Sequence, residues 1–310
     1  MRTPLQQDDI AQLIGGPPRL TIEDIVRHPR LPDARKAYLD RFLDVYDGDP
    51  FLVRLLIETG RIALFIYVAV LEAAQDPARR ETWLTVGRLK EVMTSTGLAS
   101  GRHVDQLVGR LCAVGFMEQA PAKQDRRVRI LKPTEKLWAH DRDWLAAHFA
   151  PLAVLCPQHD YAPALRRDPQ FHLLFRRTGA PFMPLGAKLL TSVPDMLLFL
   201  QHAGGFMVLA ALLQAAIATG DQAHAAVPYS DIGDRFGISR THVRRLLTDA
   251  EAAGLVRLHA RGGRRVELLP RVWASHDRGM ATGMFIHDAA YLATTGQRSS
   301  VASAIVLRLA

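Results

Sequence analysis

The stretch whose reading decides the fold is Pro228 to Leu269, PYSDIGDRFGISRTHVRRLLTDAEAAGLVRLHARGGRRVELL. Pro228, Tyr229 and Ser230 open a short helix over about Asp231 to Phe236. Gly237 supplies a tight turn, where positive φ is easily adopted. Ser239 can cap a second helix from about Arg240 to Ala253 by accepting from its free N–H groups. On that helix Val243, Leu246, Leu247 and Ala250 share one face, which must pack inward. The opposite face carries Thr241, Arg244, Arg245 and Thr248, with His242 at its edge. Gly254 ends the helix. Two strands are expected at Arg257–Ala260 and Arg265–Leu269, joined by the basic tip Arg261-Gly262-Gly263-Arg264.

Ile232, Gly233, Phe236, Gly237, Val243 and Leu246 together resemble the helix-turn-helix signature. A basic hairpin after such a motif is the pattern of a winged helix. The resemblance implies that Ser239, Arg240, Thr241, His242, Arg244, Arg245 and Thr248 face a DNA major groove. It also implies that Arg261, Arg264 and Arg265 meet phosphates or the minor groove. A helical hairpin with a solvated polar face is the plainer reading of the same pattern.

An earlier stretch has the same order. Val86, Leu89 and Val92 mark a helix, Thr96-Gly97-Leu98 a turn, and Ser100 a cap. Val104, Leu107, Val108 and Leu111 face inward. Arg102, Asp105, Gln106 and Gly109 face outward, flanked by His103 and Arg110. Strands over Phe116–Ala120 and Val128–Leu131 enclose a tip from Lys123 to Arg127. Leu107 to Gly115, then Asp125-Arg126-Arg127 and Leu131-Lys132-Pro133-Thr134, resemble the MarR family of bacterial regulators over roughly residues 50–145, and less well over 195–290. The resemblance implies that Asp125 orients a basic partner while Arg126 or Arg127 touches DNA, with Ser100, Arg102, His103, Gln106, Arg110 and Lys123 beside it. The turn before Val104 is one residue longer than the family's, and the second hairpin has no aspartate.

Several pairs of segments recur in order: Arg27-His28-Pro29 with Arg167-Asp168-Pro169, His103-Val104 with His242-Val243, and Trp138 to Arg142 with Trp273 to Arg278. Ordered recurrence implies duplication. The expected fold is mostly α, in the α+β class, with two tandem winged modules braced by long apolar helices. The expected divisions are an N-terminal arm (1–26), a first module (27–148), a proline-punctuated linker (149–166), a second module (167–295) and a C-terminal tail (296–310). A fused pair would place two reading helices about 34 Å apart on one face of DNA, as a monomer with internal pseudo-two-fold symmetry or as a homodimer. The two reading helices differ, so an imperfect palindrome is expected.

The chain has 310 residues and a formal charge of +8, with 39 Lys+Arg against 31 Asp+Glu. That balance permits nucleic-acid binding. Nearly all the basic residues are arginine, which suits phosphate and guanine recognition and equally suits a GC-rich genome. Two cysteines provide no disulfide framework, so a reducing, cytoplasmic setting is expected; Cys156 could be a redox sensor and Cys112 a small core residue. Met196 to Ala218 is apolar enough to resemble a membrane span, but Gln201, His202, Gly204, Gly205 and Gln214 favour a buried helix, so no membrane contact is expected. His-Asp pairs at 140–141, 159–160, 276–277 and 287–288 could suit metal hydrolysis, but surface or capping positions are favoured. Phosphate-loop, dinucleotide and nucleophile-elbow motifs are absent, so no catalytic step, metal or cofactor is expected.

The resulting expectation is a sequence-specific regulator of transcription that binds double-stranded DNA. The resemblance adds a small-molecule effector, with Leu64, Phe65, Tyr67, Val208 and Leu212 as candidate walls, against plain core packing. Two alternatives stay open: a plasmid-type replication initiator and a winged-helix protein-interaction scaffold.

Overall fold

The computed structural model describes residues 7–123, 125–185 and 192–295; the tail assigned to 296–310 lies outside them. The fold is mostly α-helical with small antiparallel sheets. The first half runs α1 (Gln7–Ile14), α2 (Ile22–Val26), α3 (Leu31–Asp44), α4 (Pro50–Leu56), α5 (Thr59–Ala74), α6 (Val86–Ser95), α7 (Gly101–Ala113), the hairpin β1 (Met117–Pro121) and β2 (Arg129–Pro133), and α8 (Glu135–Leu155). The second half runs α9 (Ala162–Leu165), α10 (Pro169–Gly179), α11 (Pro194–Leu200), α12 (Gly205–Thr219), β3 (His224–Ala225), α13 (Tyr229–Phe236), α14 (Arg240–Ala252), β4 (Val256–Ala260), β5 (Arg265–Leu268) and α15 (Pro270–Thr295).

Local chemistry sets many of these boundaries. Asp49 and Asp168 each cap a helix whose first residue is proline, accepting from Leu52 N and Phe171 N. The carboxylate satisfies a free N–H, and proline lacks one to satisfy. Thr21 and Asp24 form a reciprocal capping box on α2.

Two hydrophobic cores result. The smaller gathers Leu55, Leu64, Phe65, Leu89, Val104, Leu107, Phe116 and Leu131 around α5, α6, α7 and the first hairpin. The larger reaches from Ile10 through Phe42, Phe149 and Leu209 to Ala293, so it draws on both ends of the described chain.

That larger core changes the expected divisions. Residues 149–166 are not a linker: α8 runs through Pro151 to Leu155, and Phe149, Leu152, Leu155, Tyr161 and Ala164 are core side chains. Proline removes one backbone hydrogen bond there, but burial of the surrounding apolar face keeps the helix continuous. Nor is 1–26 a free arm over its described part, because Ile10, Ile14 and Ile25 are buried in the same core.

The apolar stretch 196–218 is broken rather than continuous. Alpha-helices α11 and α12 meet at 110°. The break is at Gly204, which adopts φ +70° and donates to Ile57 O at 2.7 Å. Helix α12 is buried on nearly every side, from Phe206 to Ala216, as expected of a core helix. Among the described residues no single helix is long and apolar enough to cross a membrane.

Candidate nucleic-acid interface

The two helix pairs α6–α7 and α13–α14 are built alike. Ser100 Oγ accepts from His103 N at 3.3 Å, and Ser239 Oγ accepts from His242 N at 3.1 Å. The turn before each cap holds a glycine at positive φ, Gly97 at +69° and Gly237 at +65°. The second turn is tightly enclosed: a Cβ on Gly237 would lie 2.6 Å from Pro50 Cβ, and one on Gly233 would lie 2.7 Å from Ile238 O. Glycine at 237 lets the turn lie against the start of α4, and glycine at 233 lets the turn backbone at Ile238 approach α13.

On α14, Val243, Leu246, Leu247 and Ala250 are fully buried. Arg240, Thr241, Arg244, Arg245 and Thr248 are exposed along with Ser239. Thr248 donates its hydroxyl to Arg244 O at 3.0 Å. His242 differs from these neighbours. It is half-buried, its ring centroid lies 6.0 Å from that of His202, and its Nε2 has no partner. Burial beside His202 pushes its imidazole below the ordinary range, so it is a neutral group at the rim of the face.

On α7, Val104, Leu107, Val108 and Leu111 are buried, while Arg102, Gln106 and Arg110 are exposed and His103 is half-buried. Asp105 does not stand free, because Lys90 Nζ lies 2.7 Å from its carboxylate. The outward face of α7 is therefore less basic than that of α14.

The hairpins also differ. In the first, Lys123, Arg126 and Arg127 are exposed. Asp125 accepts from Arg127 N at 3.0 Å and pairs with Arg80 at 3.3 Å. Arg80 lies in the segment between α5 and α6, and nothing in the sequence signalled it as that aspartate's partner. In the second, β4 and β5 enclose a tip where Gly262 and Gly263 adopt φ +73° and +82°. A Cβ on Gly263 would lie 2.4 Å from Val227 O, so the tip folds closely onto the start of α13. Arg264 and Arg265 are exposed; the side chain of Arg261 lies outside the described residues.

Sequence reasoning missed the role of three of the four His-Asp pairs; in the fourth, Asp160 is exposed and accepts from Ala162 N at 2.9 Å, as a surface position should. His140, Asp141, His276 and Asp277 are buried rather than superficial. Arg176 on α10 grips Asp141 through two hydrogen bonds of 2.8 and 2.6 Å, and His172 adds a third at 2.8 Å. Arg35 on α3 grips Asp277 through two of 2.6 Å. Each helix that follows a hairpin is thus tied to the other half of the chain. Asp288 is likewise buried, accepting from Tyr161 Oη at 2.7 Å. A repeated acid and a distant arginine were both visible in the sequence, but not their pairing.

Between the halves lies an apolar cavity of about 280 Å³, with Tyr38, Tyr67, Trp144, His148, His276 and His287 among its walls. Of the expected effector walls only Tyr67 lines it. Leu64 and Phe65 belong to the smaller core, and Val208 and Leu212 to the larger. The opposite face of α5, with Ile62, Ala63 and Ile66, is the one that lines the space. Cys156 is buried, and burial with Asp288 nearby pushes its thiol up, the opposite of an activated redox cysteine.

No family model, curated protein or solved structure matches the chain.

Proposed function

We propose that this chain is a sequence-specific regulator of transcription that binds double-stranded DNA as a single-chain pseudo-dimer of two MarR-like winged-helix units. The observation that carries the reading is the pair of serine-capped helices, α7 and α14. Each buries one apolar face, turns a polar or basic face outward, and is followed by a basic hairpin. That is the arrangement needed to set side chains on base edges and phosphates together. The crossed Arg35–Asp277 and Arg176–Asp141 pairs support a fixed spacing between the units, because each half holds the other through equivalent groups.

The effector part of the reading rests on the cavity. His276 lines it, is 2% exposed, and has an Nε2 with no partner. A buried unpaired nitrogen is unfavourable by roughly 1–3 kcal/mol, and a ligand hydroxyl or N–H would remove that penalty.

The test is selection from random duplex DNA with the purified full chain, followed by salt titration on the enriched sequence. The expected result is an imperfect palindrome with half-sites about ten base pairs apart. Enriched direct repeats would instead favour a replication initiator. No enrichment at low salt would overturn DNA reading in favour of a protein-interaction role.

A further inference from the structure

The sheet of the second hairpin carries a three-residue donor set that DNA reading does not use. His224 on β3, His259 on β4 and Glu267 on β5 come from three neighbouring strands in the order β3-β5-β4. One ligand atom from each lies within 4.8 Å of the others.

Strand geometry explains the convergence. His224 is the direct cross-strand partner of Glu267. On the other side Arg257 is the regular partner of Glu267, and the register then shifts between Leu258 and Ala260. His259 is the extra residue at that irregularity. Burial alternates along β4, so His259 stays on the exposed face it shares with Arg257, the direct partner of Glu267, and His259 Nε2 lies 2.5 Å from Glu267 Oε2.

The hydrogen bonds around His224 are also those of a ligand. Its Nδ1 lies 3.1 Å from Asp221 Oδ2, and a carboxylate can only accept there. Nδ1 therefore carries the proton, and Nε2 keeps its lone pair. Arg265 Nη2, a donor, is the group facing that Nε2 at 3.4 Å. A carboxylate holding the far nitrogen of a histidine is the usual outer support of a metal-binding imidazole.

We propose that His224, His259 and Glu267 form a zinc-type divalent metal site that staples the three strands of the second hairpin sheet. Two imidazoles and one carboxylate are a common zinc set, leaving a fourth position for water. Binding replaces the proton on His259 Nε2, which leaves to solvent, and displaces the Arg265 guanidinium from His224. Arg257 also touches Glu267 Oε2, at 3.2 Å, but its side chain is 60% exposed and free to swing into water. Asp221 and Glu267 offset the charge of the two arginines. The site stands whether or not the chain binds DNA.

The test uses the metal-free full chain, with Zn²⁺ titrated in competition with a chromophoric chelator and Co²⁺ as a spectroscopic probe. One site per chain is expected, with intense visible Co²⁺ absorption typical of four- or five-coordination. H259A and H224A should remove it, and H28Q should leave it unchanged. D221A should weaken binding by about 10–100-fold while keeping the Co²⁺ spectrum. Both histidines lie at the surface of the sheet, and circular dichroism verifies that the variants fold. Equal zinc affinity in the native chain and H259A, or a weak six-coordinate Co²⁺ spectrum, overturns the proposal.

Discussion

The Arg35 guanidinium on α3 and the Asp277 carboxylate on α15 meet as a two-pronged ion pair, both hydrogen bonds at 2.6 Å, although 242 positions separate them in the chain. Arg176 and Asp141 form the counterpart pair from α10 to α8. Trp273 and Trp138, matching positions in the sequence, accompany the pairs: Trp273 lies under the Arg35 guanidinium at 4.9 Å, and Trp138 meets the His172 ring at 5.7 Å. The position of each half relative to the other is therefore held by charged groups taken out of water. Such groups are stable only while both partners remain.

Removing one partner should be far worse than replacing both. Asp277→Ala or Arg35→Ala is expected to lower stability by about 3–5 kcal/mol, because a buried charge is left alone. The double variant Arg35→Met with Asp277→Leu should recover most of that loss. Urea denaturation of the four proteins measures it. A loss below about 1 kcal/mol in Asp277→Ala would mean that the pair does not hold the halves together.

Acid should weaken the fold in two phases. Burial holds His287 down to about 4 and His148 well below the ordinary imidazole range. The folded state thus keeps them neutral where the unfolded chain, with a pKa of about 6.5, binds protons. Their contribution is present above about pH 6.5 and is lost as pH falls toward the folded value, by roughly 1.4 kcal/mol per unit of separation. Asp277 is held low by His276 and Arg35, against its own burial. Its contribution is present above about pH 3.9 and is lost as pH falls through the folded value. Urea midpoints measured from pH 8 to pH 2 should fall first below about pH 6.5 and again below about pH 3.9, and His287→Gln should flatten the first fall. An unchanged slope in His287→Gln would exclude this histidine as its source.

On the proposed DNA-reading function, the two helix faces should contribute unequally to affinity. Arg244 and Arg245 are exposed on α14, whereas α7 presents Arg102 and Arg110 beside the neutralised Asp105. Arg244→Ala with Arg245→Ala is expected to lower the slope of log K against log salt by about 1 for each phosphate contact removed. Arg126→Ala with Arg127→Ala tests the first hairpin in the same way. An unchanged affinity and slope after loss of Arg244 and Arg245 would remove α14 from the interface.

The cavity should accept a neutral aromatic probe with one hydrogen-bond donor. Phenol titrated into the full chain is expected to raise the unfolding temperature in proportion to ln(1 + [L]/Kd). His276→Phe, which removes the unpaired Nε2, should reduce that shift. Benzene should stabilise less than phenol. An equal response to both probes would mean that His276 Nε2 takes no part.

The sequence by itself determined the local elements. Helix caps at Ser100 and Ser239, the glycine turns before them, and the inward stripes of α7 and α14 all depend on neighbours a few residues away. Short-range hydrogen bonding and helical periodicity are sufficient to place them. The four hairpin strands fell within a residue or two of their expected ends for the same reason, whereas the short strand β3 was not expected. The tertiary structure alone decided that 149–155 continues a helix through Pro151, that Arg80 partners Asp125, and that His224 and His259 flank Glu267 across three strands. It also decided that Arg35 and Arg176 each reach into the opposite half. These outcomes depend on which surfaces meet when two cores close. Desolvation makes the pairing of buried charge obligatory, but only the packed geometry selects the partner.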